Sequence, residues 1–372
     1  MTRASYIMLG GFLGAGKTTS IIKFANYLRD RGSKVGLITN DQGVGLVDTA
    51  LGRAHEFPTE EIAGGCFCCR FNSLVDAAAA LALDPDKRPS VFLAEPVGSC
   101  TDLVATVALP LQQIYGDSYR VGPMSVVVDP VRCLRVLGLE DGKRFSENVR
   151  YIYRKQLEEA EFIVINKIDL LSSDRLRALR DALENEFPTA KIFEVSAREG
   201  AGLEAWFEAA LAGESAAAEV MQVDYARYGQ GEALLGWLNG TVRFEAPDEV
   251  DGNAILRDLA AGIAASLERR GAEVAHLKMT LTPIGDPFEI AAINLVRGGA
   301  DAEQSHRLSE ALEDGELLLN LRAEAAPDLL DSAADEALAE VLGRRFALDY
   351  RVDHLEHFRP GQPVPTHRVA AV

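Results

Sequence analysis

Cysteine is scarce in this chain, with five residues in 372, too few for a disulfide scaffold at this size. Long apolar runs are missing too. No stretch approaches the about 20 residues that a membrane helix needs. The opening residues Met1 to Tyr6 run straight into a strand pattern, without the apolar core and cleavage site of a signal peptide. The expectation is a cytoplasmic chain with no membrane partner, whose thiols stay reduced. Basic charge is also short, since 38 Lys and Arg face 56 Asp and Glu for a net charge of −18. Residues 1–240 carry 25 basic and 32 acidic side chains, and residues 241–372 carry 13 and 24. Non-specific binding to nucleic acid needs a basic surface, so nucleic acid is excluded as a partner. The six histidines are dispersed. His354 and His357 would face opposite sides of a strand, which argues against a second metal site in the C-terminal part.

With 48% hydrophobic residues, 372 positions suffice for two or three domains that each bury a core. Up to about residue 210, short β-branched runs alternate with helical patterns, as in a mostly parallel sheet covered by helices. Strands are expected at Tyr6–Gly10, Lys34–Thr39, Ser90–Ala94, Met124–Asp129, Phe162–Asn166 and Lys191–Ser196. Helices are expected at Thr18–Arg31, Asn72–Leu83, Ser146–Ala160, Asp174–Glu186 and Leu203–Leu211. The small, polar run that follows reads as a boundary, giving a first domain over 1–212, a linker over 213–240 and a second domain over 241–372. In the second, a strand near Thr241–Glu245, a helix at Asp251–Arg270, strands at Val274–Thr282, Phe288–Val296 and Glu316–Arg322, and a helix at Pro327–Leu342 suggest a smaller α+β sandwich of ferredoxin-like type. The tail from Arg359 to Val369, with Pro360, Pro363 and Pro365, reads as extended.

Between the first strand and first helix stands Gly11-Phe12-Leu13-Gly14-Ala15-Gly16-Lys17-Thr18, which satisfies G-x-x-x-x-G-K-[ST]. Gly11, Gly14, Ala15 and Gly16 let backbone N–H groups curl around a phosphate, and the helix that continues through Thr18 and Thr19 adds its positive end. Lys17 should reach the β- and γ-phosphates, and the Thr18 hydroxyl should ligate Mg²⁺. Asn166-Lys167-Ile168-Asp169 follows a later strand. A carboxylate at Asp169 would accept from guanine N1–H and its exocyclic amine. Adenine has no N1 donor, so the nucleotide is expected to be GTP or GDP. Asn166 would bond the base edge, the Lys167 stem would lie along the ring, and Ser196-Ala197 would offer a backbone N–H to guanine O6.

Val91 to Ala94 deliver Glu95 at a strand end, where a phosphate-loop protein keeps the acid that holds Mg²⁺. Gly98 follows, with an amide placed for the γ-phosphate. Asn40-Asp41 after the second strand is a further candidate for Mg²⁺ or for orienting the attacking water, with helix-capping or turn chemistry as the other reading of Asp41. Lys17, Asp41 and Glu95 are therefore the expected catalytic set. Asp129 reads as structural or as part of the site.

Three of the five cysteines fall within four positions, Cys66, Cys68 and Cys69, after Gly64-Gly65. Thiolates suit Zn²⁺, Co²⁺ or Cu(I), and the glycines allow a tight fold around an ion. Cys100, just beyond Gly98, is a candidate fourth ligand. Cys133 has an apolar helical setting and reads as packing.

Gly11–Thr19, the C-x-C-C cluster, Glu95-Pro96-Val97-Gly98 in place of the more usual D-x-x-G, and Asn166–Asp169, in that order, resemble the CobW-like GTPases, relatives of the UreG and HypB metal-insertion proteins. The resemblance covers residues 1–210 and extends to Gln156-Leu157 and Ala160-Glu161. It implies a P-loop GTPase domain of α/β class. The sequence offers no obvious arginine finger in cis, so turnover is expected to be slow without a client or metal. The resemblance also implies a metallochaperone that binds Zn²⁺ or Co²⁺ through C-x-C-C and serves a metalloenzyme or a cobalamin-related protein. Nucleotide-dependent dimers are common among related P-loop proteins, so a homodimer is a further expectation. Asn40-Asp41-Gln42-Gly43 departs from the N-E-F-G usual in the family. Two other uses of the same motifs are a nucleotide- and metal-responsive regulator, and an activator of corrinoid or redox proteins without metal delivery.

Overall fold

The computed structural model describes residues 3–40, 47–142, 145–215, 220–286 and 288–370. The chain divides into two units. One comprises Met1–Gln42, Phe57–Gly231 and Gln362–Val372, and the other Gly43–Glu56 and Glu232–Gly361.

The first unit is built on a parallel sheet. Its strands are β1 (Ala4–Gly10), β2 (Val35–Asn40), β3 (Thr59–Ile62), β4 (Val91–Glu95), β5 (Tyr119–Val121), β6 (Ser125–Val128), β7 (Phe162–Ile165) and β8 (Lys191–Glu194). Their order is β3-β2-β4-β1-β6-β7-β8, with β5 pairing beside β1. The near-continuous apolar strands follow from burial on both faces, and β2, β4 and β6 are buried along their whole length. Helices Lys17–Asp30 and Leu203–Ala212 share one layer of the core. There the Phe24 and Phe207 rings stack 4.1 Å apart at 4°, and the Trp206 indole donates to Ser125 Oγ at 3.0 Å. All six expected strands and five expected helices of this part are present, with ends shifted by no more than two residues.

Several elements went unread. β3 has the sequence Thr-Glu-Glu-Ile and β5 has only three residues, too polar and too short to carry a strand pattern. Val104–Ala108 forms one π-helical turn leading into helix Leu109–Tyr115. Pro110 lacks the N–H that an ordinary turn would use there, which favours the wider winding. The stretch 213–240, expected as a linker, instead holds helix Tyr225–Leu234 and the start of the next strand.

The second unit is one antiparallel sheet of β9 (Leu235–Val250), β10 (Glu273–Thr282), β11 (Ala291–Leu295), β12 (Glu303–His306), β13 (Leu312–Glu324) and β14 (Asp349–Phe358). The order is β12-β11-β10-β13-β9-β14. β13 lies between β9 and β10, with helix Gly252–Arg269 joining those two, so β10-β13-β9-β14 has the split βαβ arrangement expected, extended by β11 and β12. That helix begins on Asp251, whose carboxylate accepts from the Ala254 amide at 3.0 Å. It packs with Pro327–Leu338 over a core of Leu277, Met279, Leu317, Leu319 and Leu321. Strand alternation turns Ala292 and Leu318 to the opposite face, where Val47 and Leu51 of helix Val47–Ala54 cover them. Asn320 caps that docking by accepting from the Val47 amide at 3.1 Å, and Lys278 pairs with Asp48.

Candidate functional site

The nucleotide motifs all leave the carboxyl ends of parallel strands, the edge where open α/β sheets bind ligands. Gly11 follows β1, Asn40 ends β2, Glu95 ends β4, Asp129 follows β6, Asn166 follows β7 and Ser196 follows β8. The phosphate loop needs its glycines for distinct reasons. At Gly11, with φ of 125°, a Cβ would fall 2.1 Å from the Val127 carbonyl oxygen. Gly16, with φ of 96°, opens helix Lys17–Asp30, and a Cβ there would fall 2.4 Å from Asn166 Nδ2. That helix has no acidic residue in its first turn and no side-chain cap. Its first amides therefore face the loop as an anion site should. Thr19 lies exposed in the same turn, and Lys17 and Thr18 are buried.

Thr18 and Lys17 meet the β4 acid. Thr18 Oγ1 donates to Glu95 Oε1 at 3.0 Å, and Lys17 Nζ lies 3.9 Å from the same oxygen. This hydroxyl, ammonium and carboxylate lie together as groups that would fit a magnesium nucleotide. Gly98 passes against the phosphate loop, so closely that a Cβ would fall 3.0 Å from the Leu13 amide nitrogen. Gln156 holds that segment by donating to the Gly98 and Cys100 carbonyls at 3.0 and 2.8 Å. Asp41 lies outside the described residues.

At the base end, Asn166 ties two loops together. Its Nδ2 donates to the Ala15 carbonyl at 2.9 Å, and its Oδ1 accepts from the Ala197 amide at 2.9 Å. The Ala197 amide assigned to guanine O6 from sequence is thus engaged by Asn166 here. Lys167, at φ of 56°, extends its ammonium to the Gly14 carbonyl at 2.7 Å and to Asp129 Oδ2 at 3.0 Å. Asp129 also accepts from the Arg132 amide at 2.9 Å and so caps helix Pro130–Val136. Burial alone would raise the Asp129 pKa, but the Lys167 and Arg132 charges hold it below the usual carboxylate value. Asp169 is exposed and accepts from Ser196 Oγ at 2.6 Å.

The cysteine loop precedes helix Phe71–Leu81. The amides of Cys69 and Arg70 both donate to the Cys66 carbonyl, at 3.0 and 2.9 Å, winding the loop into a turn. That turn brings the sulfurs together, with Cys66 Sγ 2.6 Å from Cys68 Sγ and 3.1 Å from Cys69 Sγ. The three sulfurs all lie within 4.8 Å of one another, the one such donor group among the described residues. Cys100 touches them by a hydrogen bond to Cys66. Bonds from Cys100, then Cys68 and Cys69, hold the Cys66 thiol well below its ordinary value, while bonding to Cys66 pushes Cys68 and Cys69 up. Three sulfurs gathered this closely fit a soft divalent ion. Cys133 stands apart in the core against Tyr153, and burial pushes it up to about 12.

Asn40 links this loop to β2. Its Nδ2 donates to the carbonyls of Ile62 and Gly65 at 2.8 and 2.7 Å, and its Oδ1 accepts from the Phe67 amide at 2.9 Å. Sequence reasoning missed this role, and it missed Glu159. That buried carboxyl accepts from Thr101 Oγ1 and the Val104 amide, both at 3.1 Å. Burial raises its pKa to about 8. Buried polar residues that serve backbone groups of distant loops have no local pattern to read.

Over 198 residues the chain is 29% identical to a zinc chaperone CobW of Sinorhizobium sp., covering 48% of this chain and 54% of the relative. Over 182 residues it is 31% identical to the zinc chaperone YeiR of Escherichia coli (strain K12), covering 48% and 51%. The chain thus spans about half the length of these curated relatives. Among solved structures, the Zn(II)-bound YjiA GTPase of E. coli aligns at 16% identity and a TM-score of 0.37, over 92% of this chain and 99% of that one. No helix among the described residues is long and apolar enough to cross a membrane. The profile of the CobW/HypB/UreG nucleotide-binding domain matches residues 5–194, and the chain belongs to that family.

Proposed function

We propose that this protein is a GTP-hydrolysing metallochaperone that takes up Zn²⁺ on Cys66, Cys68 and Cys69 and releases it under control of the nucleotide. The observation that carries this reading is Asn40, which ends the strand beside the nucleotide loops and whose side chain bonds the end of β3 at Ile62 and the cysteine loop at Gly65 and Phe67. Membership of the family and relatives named as zinc chaperones support it. Lys17 and the helix amides bind the phosphates, while Asp169 and Lys167 select and cover the base. Thr18 and Glu95 would hold Mg²⁺, whose charge offsets that of the β- and γ-phosphate oxygens. Cys100, hydrogen-bonded to Cys66 from the segment that follows Glu95, is a candidate fourth ligand, so a change at Gly98 would reach the ion through the Gln156-held loop. Co²⁺ is a second cargo suited to the same thiolates. The destination is a metalloenzyme or cobalamin-dependent client.

The test is a pair of variants in the full chain. Lys17→Ala should abolish GTP turnover while leaving Zn²⁺ stoichiometry near one. A triple Cys66→Ser, Cys68→Ser, Cys69→Ser variant should bind GTP yet lose the ion, as read by metal analysis. Retention of stoichiometric zinc by the triple variant contradicts the assignment.

A further inference from the structure

The tail of the first unit lies on the cysteine loop. Proline alternates with other residues in Pro363-Val364-Pro365-Thr366. Proline has no N–H and a fixed φ, so this run is pre-extended and offers amides only from Val364 and Thr366. Both point to the metal loop. The Val364 amide donates to Cys69 Sγ at 3.3 Å, the Thr366 amide donates to the Cys68 carbonyl at 2.8 Å, and Thr366 Oγ1 donates to the Cys69 carbonyl at 3.1 Å. The Val364 side chain is 74% exposed, so its backbone, not its packing, makes the contact. His367 then sets its ring edge-on to Phe71 at 4.8 Å and 82°.

The next residues grip the segment after Cys100. Arg368 Nε lies 2.7 Å from Asp102 Oδ2, its Nη2 donates to the Met221 carbonyl at 3.1 Å, and the Val369 amide donates to the Ala105 carbonyl at 3.0 Å. Asp102 is 1% exposed, at a φ of 66° that non-glycine residues rarely adopt. It is held from the other side by the Tyr225 hydroxyl at 2.6 Å.

We propose that segment 362–370 is a strap belonging to the metal site. It positions Cys69 by an N–H···S bond from Val364 and joins the cysteine loop to the segment carrying Cys100 and Asp102. Docked, it fixes the Cys69 sulfur for the ion and covers one side of the loop. Lifted, it withdraws that donor and opens Cys69 to an acceptor thiol or imidazole on a client. Outer-shell donors of this kind are worth about 10–100-fold in metal affinity. The inference rests on the reading of Cys66, Cys68 and Cys69 as ion ligands.

Two full-length variants test it. Val364→Pro removes the donor to Cys69 alone, and Arg368→Ala frees the far end of the strap. Zn²⁺ affinity is measured by competition with a chromophoric chelator, and alkylation of metal-free Cys69 by iodoacetamide is followed by mass spectrometry with Cys133 as internal reference. Both variants should weaken Zn²⁺ about tenfold or more and speed Cys69 alkylation, with GTP-analogue affinity unchanged as the check on folding. Unchanged zinc affinity and unchanged Cys69 kinetics in both variants overturn the strap. Failure of the parent protein to bind Zn²⁺ overturns the underlying reading as well, whereas faster alkylation without zinc binding upholds the docking and removes its metal role.

Discussion

At the scale of single residues, the site divides into groups expected to touch a ligand and groups that hold loops. Asn166 has been read from sequence as the first kind, and the structure gives it a second duty between the Ala15 carbonyl and the Ala197 amide. Asn166→Ala would leave two buried backbone groups without partners, at about 1–3 kcal/mol each. The expected outcome is a lower urea midpoint and at least tenfold weaker GTP binding. A variant with native stability and native affinity would limit Asn166 to the base edge. Residues with local signatures were legible: the phosphate loop, Asn166–Asp169 and the cysteine cluster each sit in one short stretch. The loop-holding roles of Asn40, Gln156 and Glu159 were not, although Gln156 stood out by resemblance, because their partners lie 22 to 58 positions away and are mostly ordinary backbone groups.

At the scale of elements, the same physics explains what the periodicity found and what it passed over. Long apolar strands and amphipathic helices announced themselves, whereas β3, with two glutamates in four residues, did not. The small, polar run after residue 211 made the stretch that holds helix Tyr225–Leu234 look like linker, yet Gly231 in that helix serves close packing. A Cβ on Gly231 would fall 2.6 Å from the Asn148 carbonyl oxygen and 2.8 Å from Ile152 Cδ1. Gly231→Val should therefore destabilise the first unit by about 1–3 kcal/mol, seen as a lower Tm, while an unchanged Tm would mean the helix packs loosely. Helix Glu147–Glu158 ends beside Glu159, whose pKa rises from an ordinary 4.5 to about 8 by burial, with Asp102 adding to the rise. A carboxyl raised on folding binds its proton more tightly in the native state. Its contribution is full below the ordinary carboxylate range and is lost as pH climbs towards 8. Thermal melts between pH 5 and 9 should show Tm falling across that window, and Glu159→Gln should flatten the fall. Parallel profiles for the two proteins would contradict the assignment.

At the scale of the whole molecule, chain order and spatial order part company. The sequence suggested a domain over 1–212, a linker and a domain over 241–372, and each fold type was legible from its alternation of elements. The units instead exchange segments. Residues 43–56 group with the second, and the chain from Gln362 onward returns to the first. Neither exchange leaves a mark in hydrophobic pattern, because helix Val47–Ala54 is short and the returning tail docks through backbone amides. In the first unit, the strand ends that carry the nucleotide loops, the Asn40-held cysteine loop and the returning tail make a single connected set. Nucleotide and ion should therefore report on each other, by a coupling that acts equally in both directions. The direct test is Zn²⁺ affinity of the full chain, by chelator competition, with a non-hydrolysable GTP analogue and with GDP. The account predicts affinities that differ by at least about fivefold, with zinc shifting the preference for analogue over GDP by the same factor. Equal zinc affinity in the two nucleotide states would contradict it.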